Sequence, residues 1–163
     1  MVQESEVGRQ DNYLVAPAVF AVEVRVPPMT DGVPSRPKSE SESWVGIVDD
    51  DASIRKSLAR MFRGNGIRTL TFGSAEEYLR RSVPNEPRCI VLDVHLGGLS
   101  GFDLQARLAA EGLLTPIIFI TAHEIRSTDL TRCPGPCGYL RKPFDSDALI
   151  ALVRSHLDDY STD

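Results

Sequence analysis

Four apolar runs in this chain each end on a residue able to do chemistry. Val45-Gly46-Ile47-Val48 leads into Asp49-Asp50-Asp51, Cys89-Ile90-Val91-Leu92 into Asp93, Ile117-Ile118-Phe119-Ile120 into Thr121, and Tyr139-Leu140-Arg141 into Lys142-Pro143. Carboxylates gathered within a few ångströms of one another repel until a proton or a cation neutralises them, and a water-rich set of two or three aspartates suits Mg²⁺. Asp49, Asp50 and Asp93 are therefore the expected cation ligands. Lys142 adds a point charge and Thr121 a hydroxyl donor, which with Mg²⁺ would neutralise a bound phosphoryl group. Asp93, central between the acidic pair and the Thr121/Lys142 pair, is the natural nucleophile for an aspartyl phosphate. Taken singly these features say little: an Asp pair after a strand is often a helix cap, as Asp51 reads here, and Lys-Pro is usually a surface turn. Their joint placement at four run ends carries the argument.

The elements that must position them follow from hydrophobic periodicity. Strand candidates are 44–48, 67–72, 88–92, 116–120 and 138–141, each short and rich in Val, Ile, Leu or aromatics. Between them, 52–63 sets Ile54, Leu58, Met61 and Phe62 on one stripe, and Ser74 caps a helix with Glu77 completing a capping box. Residues 101–111 carry Phe102, Leu104 and Leu108, and Asp145 caps 148–157. Strands alternating with helices over short loops predict an α/β fold of right-handed βαβ units, a parallel sheet covered on both faces. Such a sheet brings the four polar run ends to its carboxyl edge, where open α/β sheets place ligands. Residues 124–137, with Ser-Thr-Asp in the middle and then Pro134-Gly135-Pro136, predict a short or irregular fourth helix.

Size and charge narrow the function classes. At 163 residues the chain suits one ordinary domain plus a tail. A net charge of −5 offers no basic face for a phosphate backbone, which argues against direct nucleic-acid binding. Three cysteines, Cys89, Cys133 and Cys137, do not make a disulfide scaffold, and with no signal peptide or membrane span legible a cytoplasmic location is expected. Residues 1–43, with five prolines among Ser, Glu and Gly, read as a disordered tail, with an edge strand or partner docking over 13–26 as the alternative. The domain is expected over 44–160. Cys133 and Cys137 could suit a disulfide or half of a metal site, but no second ligand pair is near.

Together, Ile47-Val48-Asp49-Asp50-Asp51, Asp93, Gly101 eight residues later, Thr121-Ala122 and Gly138-Tyr139-Leu140-Arg141-Lys142-Pro143-Phe144 resemble the receiver domain of bacterial two-component response regulators, over about 44–157. The resemblance implies a flavodoxin-like five-stranded sheet of order 2-1-3-4-5. It implies that Asp93 accepts phosphate from a histidine kinase or phosphotransfer protein, that Asp49, Asp50, Asp93 and the backbone carbonyl of His95 hold Mg²⁺, and that Thr121 and Lys142 contact the phosphoryl group. It further implies a cis Lys142-Pro143 bond and a switch in which Thr121 moves toward the phosphoryl group and Tyr139 rotates into the space behind it. On this reading the chain is a stand-alone switch, monomeric or weakly dimeric. It acts through a downstream protein partner or phosphate relay, and is no enzyme beyond promoting its own phosphorylation and dephosphorylation.

Three departures from the family pattern stand out. Leu96-Gly97-Gly98 replaces the usual Met-Pro and predicts a more flexible loop; the 124–137 segment is helix-poor; and His95 and His123 occupy positions that in the family flank the path of the hydrolytic water, where their rings would slow or assist hydrolysis and change the phosphoryl lifetime, the alternative being plain exposed loop histidines. Two rival classes share parts of this pattern. A pseudo-receiver, a pure interaction module, is disfavoured because the site residues are all present. A haloacid-dehalogenase-like phosphatase is disfavoured because His95 stands where a second Asp would be needed.

Overall fold

The computed structural model describes residues 23–25, 43–82, 85–123, 133 and 135–158. Among the described residues six strands run in chain order as β1 (Glu23–Arg25), β2 (Val45–Val48), β3 (Thr69–Phe72), β4 (Cys89–Asp93), β5 (Ile117–Thr121) and β6 (Cys137–Arg141). The helices are α1 (Ala52–Gly64), α2 (Ala75–Leu79), α3 (Gly101–Ala110) and α4 (Ser146–Asp158). The sheet order is β1-β6-β5-β4-β2-β3. Strands β2 to β6 are mutually parallel, in the expected 2-1-3-4-5 arrangement, and β1 adds antiparallel to β6. That added strand falls within 13–26, the stretch for which an edge strand was the alternative to a free tail.

Alternation along the strands explains why both faces are covered. On β4, Ile90 and Leu92 enter one core with Tyr78 of α2, Leu104 and Leu108 of α3, Phe119 and Tyr139. Cys89 and Val91 enter the other, with Leu58 and Phe62 of α1 and Leu149 and Val153 of α4. Each fully buried Ile, Leu or Phe in these layers contributes about 1.5–3 kcal/mol. No helix among the described residues is long and apolar enough to cross a membrane.

The helix starts are set by short polar side chains. Asp51 caps α1, accepting from the N–H groups of Ser53 at 2.7 Å and Ile54 at 3.3 Å, and Asp145 serves α4, accepting from Asp147 and Ala148. Ser74 accepts from Glu77 N–H at 3.1 Å as expected, but the Glu77 carboxylate takes the Gly73 N–H at 2.6 Å, one residue before the position a capping box requires. The reciprocal box is found instead at α3, between Ser100 and Asp103. The helix expected within 124–137 lies outside the described residues except for Cys133 and 135–137.

Candidate functional site

The four polar run ends meet at the carboxyl edge of the parallel strands. β4 lies between β2 and β5, so Asp93 sits centrally, with Asp49 and Asp50 following β2 on one side and Thr121 ending β5 on the other. Asp49 and Asp93 are buried, Asp50 is exposed, and carboxylate oxygens of the three lie within 4.8 Å of one another. Lys142, just past β6, reaches across: its Nζ stands 2.6 Å from Asp93 Oδ2 and 3.1 Å from Asp49 Oδ2. One ammonium is thus shared by two buried carboxylates, leaving excess negative charge at an open mouth lined by oxygen donors. That donor set fits a hard divalent cation.

The second carboxylate oxygen of Asp49 and that of Asp93 are each held by backbone. Asp51 N–H donates to Asp49 Oδ1 at 2.8 Å and His95 N–H to Asp93 Oδ1 at 2.9 Å. Burial, working against these contacts and the attraction of Lys142, raises the pKa of Asp49 above its ordinary value. Burial pulls the Lys142 pKa down, but its hydrogen bonds to Asp93 and Asp49 prevail and the net shift is upward. The ammonium is therefore retained.

Further contacts surround the site. The Lys142-Pro143 peptide is cis, and Lys142 N–H donates to the Thr121 carbonyl at 2.7 Å, tying the two strand ends together. The Arg55 guanidinium donates to the Asp49 carbonyl at 2.6 Å, a contact from α1 that no local motif announced. Gly101 is required by close approach: a Cβ there would stand 2.5 Å from the Asp93 carbonyl oxygen. The 96–99 loop is anchored on α2, because the Glu76 carboxylate accepts the Leu99 N–H at 3.0 Å. A Cβ at Gly98 would meet Glu76 Oε1 at 2.6 Å, so the glycine that suggested looseness makes room for a tether.

Thr121 is buried and its Oγ1 accepts the His123 N–H at 3.1 Å. His95 and His123, two residues past Asp93 and Thr121 and both exposed, bring their rings to 4.6 Å between centroids. Tyr139 lies inside the core, its ring stacked on Phe119 at 5.1 Å and its hydroxyl 2.8 Å from Cys133 Sγ. Burial is the first cause holding its phenol well above the ordinary range. All three cysteines are free thiols and buried, so Cys133 and Cys137 form no disulfide.

With this geometry in hand, residues 45–154 match the family described as "Response regulator receiver domain". Nodulation protein W of Bradyrhizobium diazoefficiens is 42% identical over 118 residues, covering 71% of this chain and 52% of that protein. Transcriptional regulatory protein FixJ of Azorhizobium caulinodans is 36% identical over 114 residues, covering 69% and 54%. The chain spans about half the length of these curated relatives. The solved Francisella response regulator 1452 receiver domain superposes with a TM-score of 0.63 at 27% identity, covering 74% of this chain and 98% of that one.

Proposed function

The chain belongs to the response regulator receiver domain family, and from that premise we propose that it is a phosphoacceptor switch taking a phosphoryl group onto Asp93. The observation that carries the reading is the single Lys142 ammonium held at 2.6 Å and 3.1 Å by Asp93 and Asp49 in an oxygen-lined mouth. The donor is a phosphorylated histidine of a histidine kinase or phosphotransfer protein. An Asp93 oxygen attacks phosphorus, the P–N bond breaks, its electron pair leaves with the imidazole, and a mixed anhydride forms. Lys142 remains as counter-charge to the phosphoryl oxygens, and the Thr121 hydroxyl turns to donate to them. Asp49, Asp50, Asp93 and the His95 carbonyl would hold Mg²⁺, which when bound supplies further neutralisation of the transferring group.

The switch acts through Thr121 and Tyr139. When the Thr121 hydroxyl moves toward the phosphoryl group, it vacates space on the Tyr139 side; the inward ring then gains packing, and the equilibrium shifts by the difference in interaction between the two states. The Cys133 contact already favours the inward ring. A protein partner or a phosphate relay reads the result. Beryllofluoride with Mg²⁺, titrated while the Tyr139 ring resonances are followed by NMR, tests the reading. One saturable site that disappears in Asp93→Asn is expected, and a flat titration of the unsubstituted chain defeats it.

A further inference from the structure

The outer edge of β6 has its own ligand. In the β5/β6 ladder, Ile117 N–H donates to the Pro136 carbonyl and Lys142 N–H to the Thr121 carbonyl. Even-numbered residues of β6 therefore turn their backbone groups toward β5, and Cys137 and Tyr139 turn theirs outward. In the antiparallel register Glu23 faces Tyr139, Val24 faces Gly138 and Arg25 faces Cys137. The outward groups of β6 thus fall opposite Glu23 and Arg25, the pairs that exchange both N–H···O bonds, while the Val24 N–H points away from the sheet. Without β1 this edge would be an open row of donors and acceptors, the usual template for unwanted strand addition.

We propose that the β6 edge is a strand-addition surface whose resident occupant is the chain's own Glu23–Arg25, so that any extended segment of a partner or of a second copy must displace it. The covalent geometry favours this occupant. β1 and β2 stand four strand spacings apart in the sheet, about 19 Å. Because β1 is antiparallel, its Arg25 end lies at the edge where Val45 begins β2. Nineteen residues, 26–44, join them. Fully extended, nineteen residues reach about 65 Å, so the chain between them is long enough to seat β1 on this edge. Attachment to the same chain makes this occupancy an intramolecular event, which a free competitor must overcome by concentration. The surface recognises backbone in an antiparallel sense, and its reach includes Tyr139, whose ring lies in the core beside Phe119 and Cys133.

Hydrogen exchange on the full chain tests this without touching the phosphoryl site. The Cys137 and Tyr139 amides should exchange slowly. Arg25→Pro, which removes the N–H aimed at the Cys137 carbonyl, should speed them about tenfold or more. Val24→Pro, whose lost N–H points away from β6, should leave them slow, and the Val91 amide of β4 should be unchanged in both, reporting an intact fold. A synthetic peptide of residues 18–30 at millimolar concentration should restore protection to the Arg25→Pro chain. Equal exchange in Arg25→Pro and the unsubstituted chain overturns the proposal, and so does protection that falls on dilution, which would make the occupant a second copy. Equal loosening by the two prolines overturns the register on which it rests.

Discussion

Replacing Lys142 by Met removes the one cation shared by Asp49 and Asp93 while preserving most of the stem's volume. Hydrogen bonds involving charged groups contribute roughly 1.5–3 kcal/mol each, and two are lost, at 2.6 Å and 3.1 Å. The Lys142 side chain is 21% exposed, so solvent screening reduces the sum, and a loss of about 3 kcal/mol is expected in metal-free buffer at pH 7. For a domain of this size that corresponds to a fall of about 10 °C in Tm. The pH dependence fixes the cause. Because the folded pKa of Asp49 is raised above its ordinary 3.8, its contribution to stability is full below that value and is lost as pH rises through the folded pKa. Lys142, also raised, contributes fully below 10.5 and loses its contribution as pH rises through its higher folded value. The deficit of Lys142→Met should accordingly be greatest near neutrality, shrink in acid as Asp49 protonates, and be largely recovered by excess Mg²⁺. Urea melts across pH, with and without Mg²⁺, measure it. In the double variant with Asp93→Asn, the cost should be below the sum of the single costs by about 1–2 kcal/mol. A Lys142→Met chain within about 0.5 kcal/mol of the parent, insensitive to pH and Mg²⁺, would refute the account of the cluster.

Other outcomes are equally specific. Gly101→Ala drives a methyl to 2.5 Å from the Asp93 carbonyl oxygen and should cost about 1–3 kcal/mol, whereas Gly97→Ala, with nothing within 4 Å, should stay within about 0.5 kcal/mol; urea midpoints distinguish them. Glu76→Gln should speed exchange of the Leu99 amide. In the parent chain the Leu99 hydrogen bond lowers the Glu76 pKa below its ordinary 4.5, so the protection is present above that value and should be lost as pH falls through the lower folded pKa. For the His95/His123 pair, His123→Ala should uncover one side of the phosphoryl group and raise its hydrolysis rate by a factor of about three, ~0.65 kcal/mol of barrier; identical dephosphorylation rates would remove the histidines from the mechanism.

Much of the architecture was readable because it is repetitive. Alternating apolar runs and amphipathic stretches fix a parallel sheet, and a parallel sheet forces residues at the run ends onto one edge. Asp49, Asp93, Thr121 and Lys142 are therefore legible as neighbours from the sequence alone. What escaped was contact between residues distant in sequence or outside a standard motif. Glu77 looked like the partner of Ser74 because capping boxes are local, yet its carboxylate takes Gly73, and neighbouring Glu76 reaches 23 residues along the chain to Leu99. Arg55 reads as an ordinary helix cation until α1 packs and brings it to the Asp49 carbonyl. The Cys133 thiol is indistinguishable in sequence from a core residue, because its partner, the Tyr139 hydroxyl, depends on which face of β6 is turned inward. Glu23–Arg25 left no strong sign because an edge strand of three residues carries almost no periodicity.

The clasp between Glu76 and the backbone at 98–99 also limits how the molecule could be recombined with its relatives. A loop grafted in with any side chain at position 98 would press on the Glu76 carboxylate, which must turn aside and loosen its hold on the Leu99 N–H, while the Gly101 N–H stays on the Val94 carbonyl. Helix α2 and this loop are therefore best exchanged together: chimaeras cut between them should lose protection at the Leu99 amide, and chimaeras cut outside both should keep it.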